Sequence, residues 1–396
     1  MRPSPVTIMR EEARDMGPER REDVGAGTAM DEERAVMALR SLYERHGYSC
    51  YRMSKFEEYD IYARHRDFLP SGDIIAFTDA DGKLMALKPD VTLSVVRHVR
   101  DDGSIVRKVF YDESVYRVPR GARTFREIRQ VGLEQIGPID AWCVCEALCL
   151  AAWSLDRIRM GHESALDVAH LGIVASMLDA LGVEGERRRS VLRCFGEKNA
   201  HGLAEACAGV DAPQEEIAAL RRLASVSAPP REALGELRAI LARGPKAAMA
   251  AVGELEDVLE GVEALDADAL GQVRVDLSVM NDLDYYNGIV FRGFIEGIPA
   301  GVLSGGQYDR LAREMGRAGA VGFAVNLDQI ERLGEREKDV DVDVLLLYGP
   351  GDEPRTVASR VRELTRGGRS VMAQRAVPEG LRSREIVRMG GGEGRA

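Results

Sequence analysis

Three short stretches of this 396-residue chain carry polar and aromatic residues at spacings that suit a pocket for a free amino acid. Such a pocket needs a carboxylate or carbonyl against the α-ammonium, hydroxyls or amides to fix orientation, and a planar group against the ligand's side chain. A carboxylate beside an ammonium is stabilised as a charge-assisted pair. In LKPDVT, Asp90 and Thr92 stand two apart on an extended stretch and so point to one side. Their plainer reading is as caps of the helix that follows. In REIRQVGLEQIG, Gln130, Gly132 and Glu134 alternate on one strand face while Val131 and Leu133 take the other. A strand that faces water shows the same pattern. LDYYNGIVF and GGQYD contribute Tyr285, Tyr286 and Tyr308, aromatic residues that strands bury in a core more often than they offer to a ligand.

The elements that must position these residues follow from periodicity. Apolar residues at helical spacing from Asp31 to His46, stopped by Gly47, give a first helix. GYSCYRMSKFEEYDIY reads as a short strand and an acidic loop. Asp73 to Asp79 and Lys83 to Leu87 read as a hairpin around the Asp81-Gly82 turn. LKPDVTLSVVRHV begins extended and turns helical after Thr92. Strands are expected at Val106 to Tyr111 and Gly132 to Ile136, joined through an Arg-rich loop containing VPRGARTF. Asp140 suits the N-cap of an apolar helix ending near Arg159. Leu166 to His170 reads as a strand, and about 175–270 as a helical insertion.

Strand patterning returns at Val273 to Val279 and Gly288 to Phe294, before a GGQYD turn and a helix. A closing β-α-β piece is expected over 338–385: a strand at Val340 to Tyr348, a helix at Arg355 to Thr365 and a strand at Ser370 to Gln374. Residues 1–30 and 386–396 read as disordered tails. Helices alternating with antiparallel hairpins indicate an α+β fold, an antiparallel sheet with helices on one side and a core over 31–335. No GxGxxG follows a strand, which argues against a dinucleotide-binding fold.

At this point the stretches resemble one family jointly. FTDADGKLMALKPDVT is similar to the segment of class II histidyl-tRNA synthetases that holds an RPE-x-T or RPD-x-T box. VYRVPRGARTFREIRQVGLEQIG resembles their motif 2, NDLDYYNGIVF their RGLDYY box, GGQYD their GGRYD, and GFAVNLDQI stands in the place of motif 3. The similarity runs in unbroken order over roughly 30–335. It implies a class II synthetase-like sheet in which Asp90, Thr92, Gln130 and Glu134 hold the ammonium of histidine. Tyr285, Tyr286 and Tyr308 then line the side-chain pocket, and Arg117 is the motif 2 arginine.

The departures carry the functional expectation. Where the family has three arginines, this chain has Asn281, Gln307 and Gln329. Adenylation of a carboxylate develops negative charge that positioned cations stabilise, and losing one such donor costs on the order of 2.7–4 kcal/mol. Binding is expected to persist while chemistry does not. Fewer than sixty residues follow Lys338, too few for a whole anticodon-binding domain, so the C-terminal piece reads as its remnant. The pattern is similar to the regulatory-subunit relatives of these synthetases, which partner the short-form catalytic chain of ATP phosphoribosyltransferase in histidine biosynthesis. That resemblance implies a non-catalytic chain, dimeric within a hetero-oligomer, that activates the partner and senses histidine. The alternatives are a degenerate histidyl-tRNA synthetase that is still active and a histidine-binding module serving another partner.

Bulk properties narrow the classes further. A formal net charge of -11 disfavours tRNA as a partner. No apolar run approaches the ~20 residues of a membrane span, and the N-terminal stretch has no secretory h-region. Six cysteines without a C-x2-C pair and six histidines without an i, i+4 pair leave no metal site and no cofactor in view. A reduced cytoplasmic protein is the expectation. Cys145 and Cys149 read as packing residues of one helix face.

Overall fold

The computed structural model describes residues 32–69, 74–99, 103–118, 124–210, 213–279, 285–330 and 340–389. The expectations for the tail 1–30, for Asn281, for residues 119–123 of the Arg-rich loop and for residues 390–396 lie outside them. The chain divides into two compact units; the larger spans Met30–Arg336, and the smaller holds described residues 340–389.

The strands of the larger unit are β1 (Ser49–Cys50), β2 (Phe56–Glu58), β3 (Ala76–Thr78), β4 (Leu84–Leu87), β5 (Arg107–Arg117), β6 (Arg126–Ile136), β7 (Ser164–His170), β8 (Ser227–Ala228), β9 (Val273–Asp276), β10 (Ile289–Ile295), β11 (Leu303–Gln307) and β12 (Ala320–Asn326). Nine of them form one sheet in the order β1-β5-β6-β12-β11-β10-β7-β9-β8. Pairing is antiparallel except at β1–β5 and β7–β9.

One face of this sheet buries Phe110, Val131, Leu133, Leu303, Phe291 and Phe323 against helices. The helix Ala141–Ile158 lies there, and it is apolar on nearly all sides because a second helix, Lys246–Leu265, covers its back. Gly261 of the latter faces the Cys145 sulfur at a distance that admits no larger residue without a shift. Cys143, Cys145 and Cys149 are all buried, as packing cysteines should be. The helix begins where Asp140 accepts a hydrogen bond from the Cys143 amide at 3.0 Å. Asp140→Ala should therefore lower the unfolding free energy by about 1 kcal/mol, read as a reduced midpoint in urea denaturation.

The structure corrects several expectations. Helices do not cover one side alone. On the second face the helices Thr92–His98 and Asp309–Glu314, with the small sheet β2-β4-β3, pack Leu93, Val95, Leu311 and Ala312 on Tyr111, Val115 and Ile136. β5 and β6 are longer than their apolar runs, paired residue by residue from Arg107↔Ile136 to Arg117↔Arg126. Their polar halves are held across the strands by Arg129, bonded to both Asp112 oxygens at 2.8 and 2.9 Å.

The insertion starts at Leu171, where His170 Nδ1 accepts from the Gly172 amide, and it contains β8, paired to β9. GGQYD is not a turn. Gly305 and Gly306 lie within β11, where a Cβ on Gly305 would overlap Phe323 and the Gly322 carbonyl. β12, for which the sequence suggested no element, pairs β11 with β6. No helix among the described residues is long and apolar enough to cross a membrane.

In the smaller unit β13 (Val342–Leu347) lies between β14 (Val371–Gln374) and β15 (Ser383–Arg388), parallel to both. The helix Pro354–Thr365 packs Leu364, Val357 and Val361 on Val344 and Leu346. The third strand corrects the expected tail boundary, since Ile386, Val387 and Arg388 continue the pairing with Leu345, Leu346 and Leu347.

Candidate functional site

The pleat decides which side chains meet. On the second face of the large sheet stand Tyr111 and Glu113 of β5, Gln130, Gly132 and Glu134 of β6, and Gly322, Ala324 and Asn326 of β12. Directly across the strands, Gln130 faces Glu113 and Asn326, Gly132 faces Tyr111 and Ala324, and Glu134 faces Gly322. The middle of this patch is recessed because two of its residues are glycines, and the hollow so formed receives the Tyr111 ring and the Glu134 carboxylate. A Cβ on Gly132 would overlap the Tyr111 hydroxyl and the Phe323 carbonyl, and one on Gly322 would overlap Glu134 Oε2.

Glu134 is 1% exposed, and both its oxygens accept hydrogen bonds from hydroxyls: Thr92 Oγ1 at 2.6 Å to Oε1, and Tyr308 Oη to Oε2. No lysine, arginine or histidine among the described residues lies within ion-pair distance of it. Burial outweighs the two hydroxyl bonds and pushes its pKa up to about 8. Asp90 differs. It is also raised by burial, but Arg117 opposes this, with a guanidinium nitrogen 3.4 Å from Asp90 Oδ2 and Nε donating to the Pro89 carbonyl at 2.5 Å. Asp90 Oδ1 also accepts from the Leu93 amide at 2.9 Å, in keeping with the plain capping reading, whereas Thr92 turns its hydroxyl to Glu134 and does not cap the helix.

The tyrosines close the other side. Tyr285 lies 4.7 Å from Tyr286 and 5.8 Å from Tyr308 between ring centroids, and Phe68 packs edge-on to Tyr285 at 6.3 Å. Gly306 makes room for the Tyr286 ring, whose Cδ1 lies 2.9 Å from where a Cβ would stand. The segment after them is fastened to β11 and to the helix that follows it: the Asn287 amide donates to the Gln307 carbonyl at 3.0 Å, and Asn287 Oδ1 accepts from the Arg310 amide at 3.0 Å.

Asp90, Thr92, Glu134, Tyr285, Tyr286 and Tyr308 thus come together, with Arg117 engaged on Asp90. Gln130 stands two residues beyond Gly132, about 7 Å along the strand from the hollow, and donates through Nε2 to Asn326 Oδ1 at 2.8 Å. Sequence reasoning missed Tyr111, Phe68 and Asn326. The alternation Val109, Tyr111, Glu113 would have pointed to Tyr111, while Asn326 carried no signal because β12 went unread.

At two positions where the resembling family has arginine, the glutamines serve local contacts. Gln307 Oε1 accepts from the Ile289 amide at 2.8 Å, and Gln329 Nε2 donates to Asp328 at 2.8 Å. The site as described offers a neutralisable acidic pole, an aromatic wall and amide groups, a set that suits a small cation-bearing molecule rather than a polyphosphate.

Comparison with known proteins agrees with this fold. Residues 21–330 match the sequence profile of the family described as histidyl-tRNA synthetase. The chain belongs to that family. Among its relatives, an ATP phosphoribosyltransferase regulatory subunit from Anaeromyxobacter sp. (strain Fw109-5) is 30% identical over 322 residues, 76% of this chain and 88% of that protein. A histidine--tRNA ligase from Methanocaldococcus jannaschii is 28% identical over 315 residues, 78% of this chain and 73% of that protein. The crystal structure of an ATP phosphoribosyltransferase regulatory subunit/histidyl-tRNA synthetase from Bacillus halodurans superposes with a TM-score of 0.74 at 22% identity, covering 94% of this chain and 99% of that one. Membership of the histidyl-tRNA synthetase family therefore accounts for the large, mostly antiparallel sheet.

Proposed function

We propose that this family member is the regulatory subunit of an ATP phosphoribosyltransferase. It binds free histidine in the pocket around Glu134, activates a short-form catalytic chain that joins phosphoribosyl from PRPP to ATP, and reduces that activity when histidine is bound. One observation carries the reading. The acceptors and rings that suit histidine converge on one hollow, while Gln307 and Gln329 offer no charge and are bonded to Ile289 and Asp328. A site that keeps its acceptors but has lost the cations at these two positions can sense an amino acid and is poorly equipped to stabilise its adenylation. Regulation follows by linkage: histidine shifts the assembly only by its difference in affinity for the active and inactive states, and roughly 1–3 kcal/mol suffices.

The similarity to regulatory subunits of the same length class supports this reading, and the net charge of -11 weighs against tRNA. The relative from Methanocaldococcus jannaschii favours a second reading, an active synthetase. Phosphoribosyl transfer by a cognate short catalytic chain, assayed with and without this protein, separates the two. Stimulation by this chain is the expected result. No stimulation, together with histidine-dependent ATP–pyrophosphate exchange by this chain alone, would overturn the proposal.

A further inference from the structure

Two amides at the edge of the hollow form a matched pair. Gln130 is 5% exposed, Asn326 is half-buried, and they stand opposite one another in the β6–β12 register. Their single bond uses the donor of one and the acceptor of the other, Gln130 Nε2 to Asn326 Oδ1 at 2.8 Å. Among the described residues Gln130 Oε1 and Asn326 Nδ2 have no other partner, and Asn326 makes no side-chain cap to the 3-10 turn that follows it. The pair therefore leaves one acceptor and one N–H2 donor unused by each other. Those are the complements of an ammonium and a carboxylate, the two groups that every free α-amino acid carries on one carbon. Arg117 turns Nε and one terminal nitrogen to the Pro89 carbonyl and Asp90, and Asn326 Nδ2 is an uncharged donor that a carboxylate entering this end of the site can meet.

We propose that Asn326 is a binding residue for the ligand's free carboxylate, oriented by Gln130, and that it makes the site select an unmodified amino acid over derivatives in which the carboxylate is absent. This deepens the histidine-sensing reading and rests on it. The donor is neutral, so it holds a carboxylate without drawing off the negative charge whose build-up adenylation requires a cation to stabilise.

Calorimetric titration of the full-length chain with L-histidine and with L-histidinol, which has a hydroxymethyl group in place of the carboxylate, tests this. Wild type should bind histidine more tightly. Asn326→Leu should weaken histidine roughly ten- to hundredfold, as expected for losing a hydrogen bond to a charged group, and leave histidinol within about twofold. Asn326→Asp keeps an acceptor for Gln130 Nε2 but sets a negative charge before the carboxylate. It should weaken histidine at least as much while histidinol still binds, which shows that the site is intact. Equal losses for both ligands in both variants, or no loss for histidine, would overturn the role of Asn326 and leave the sensing proposal standing. Failure of wild type to bind either ligand would overturn both.

Discussion

Glu134→Gln should weaken histidine binding on the order of a hundredfold at pH 8.5 and remove most of its pH dependence between pH 6.5 and 8.5. Losing one member of a buried, hydrogen-bonded charge pair costs roughly 2–5 kcal/mol, and here Glu134 is the carboxylate to which Thr92 and Tyr308 both donate. The pH dependence follows from its pKa of about 8. In the empty site at pH 7 the group is mostly neutral, and it must release its proton to pair with a ligand cation. Wild-type affinity should therefore rise about tenfold from pH 7 to its plateau above pH 8, with close to one proton released per histidine bound at pH 7. Calorimetry in buffers of different ionisation enthalpy reads that proton directly.

Folding carries the same linkage with a definite sign. An unfolded glutamate titrates near 4.3, so between that value and about 8 the folded chain holds the extra proton. The stability associated with Glu134 is complete below the unfolded pKa and declines as pH rises through the folded one. The ligand-free melting temperature should fall from pH 6 to 8.5, less steeply in Glu134→Gln, and added histidine should recover it. A wild-type affinity that is flat across this range would contradict the assignment of Glu134 as the acceptor.

The second large effect is expected at a residue that touches no ligand. Gly322 lies opposite Glu134 in the β6–β12 register, and a methyl group there would overlap Glu134 Oε2 and the Leu133 carbonyl oxygen. A carbonyl in the middle of a sheet cannot move aside, so the carboxylate must, and with it the bonds to Thr92 and Tyr308. Gly322→Ala should cost about 1–3 kcal/mol of stability through overpacking. It should also weaken histidine roughly a hundredfold, as a displaced charge-assisted contact does. Thermal denaturation and calorimetry measure the two separately. If stability falls while histidine binds as in wild type, the hollow over β12 is not where the ligand lies.

The same glycines explain which parts of the fold could be read from sequence. Helices such as Glu32–Arg45 and Ala141–Ile158 declare themselves through periodicity and, in the second, through the Asp140 cap. β11 and β12 do not. Gly305, Gly306 and Gly322 look like turn residues in isolation, and only a neighbouring strand supplies the crowding that demands them. β15 was lost for a related reason, since an edge strand rich in arginine has no apolar alternation to display.

For the site, residue types and their parity on strands identified Gln130, Gly132 and Glu134 as one face, and the pairing bears that parity out. Parity within one strand could not show that Gln130 and Glu134 belong to opposite ends of the hollow, one bonded to Asn326 and the other to Thr92 and Tyr308. Nor could it show that Gln307 turns onto the Ile289 amide. The first depends on segments 170 or more residues apart, as in the contacts Glu134–Tyr308 and Gln130–Asn326, and the second on the pairing of β10 with β11.

The most direct test joins the site to the proposed output: phosphoribosyl transfer by the complex of this chain with its short catalytic partner, titrated with histidine, for wild type and for Glu134→Gln. The expected result is an active complex in both cases, with wild type inhibited as histidine rises and the Glu134→Gln complex still active at the same concentrations. Inhibition by histidine that is identical in the two complexes would place the sensor elsewhere and contradict the account.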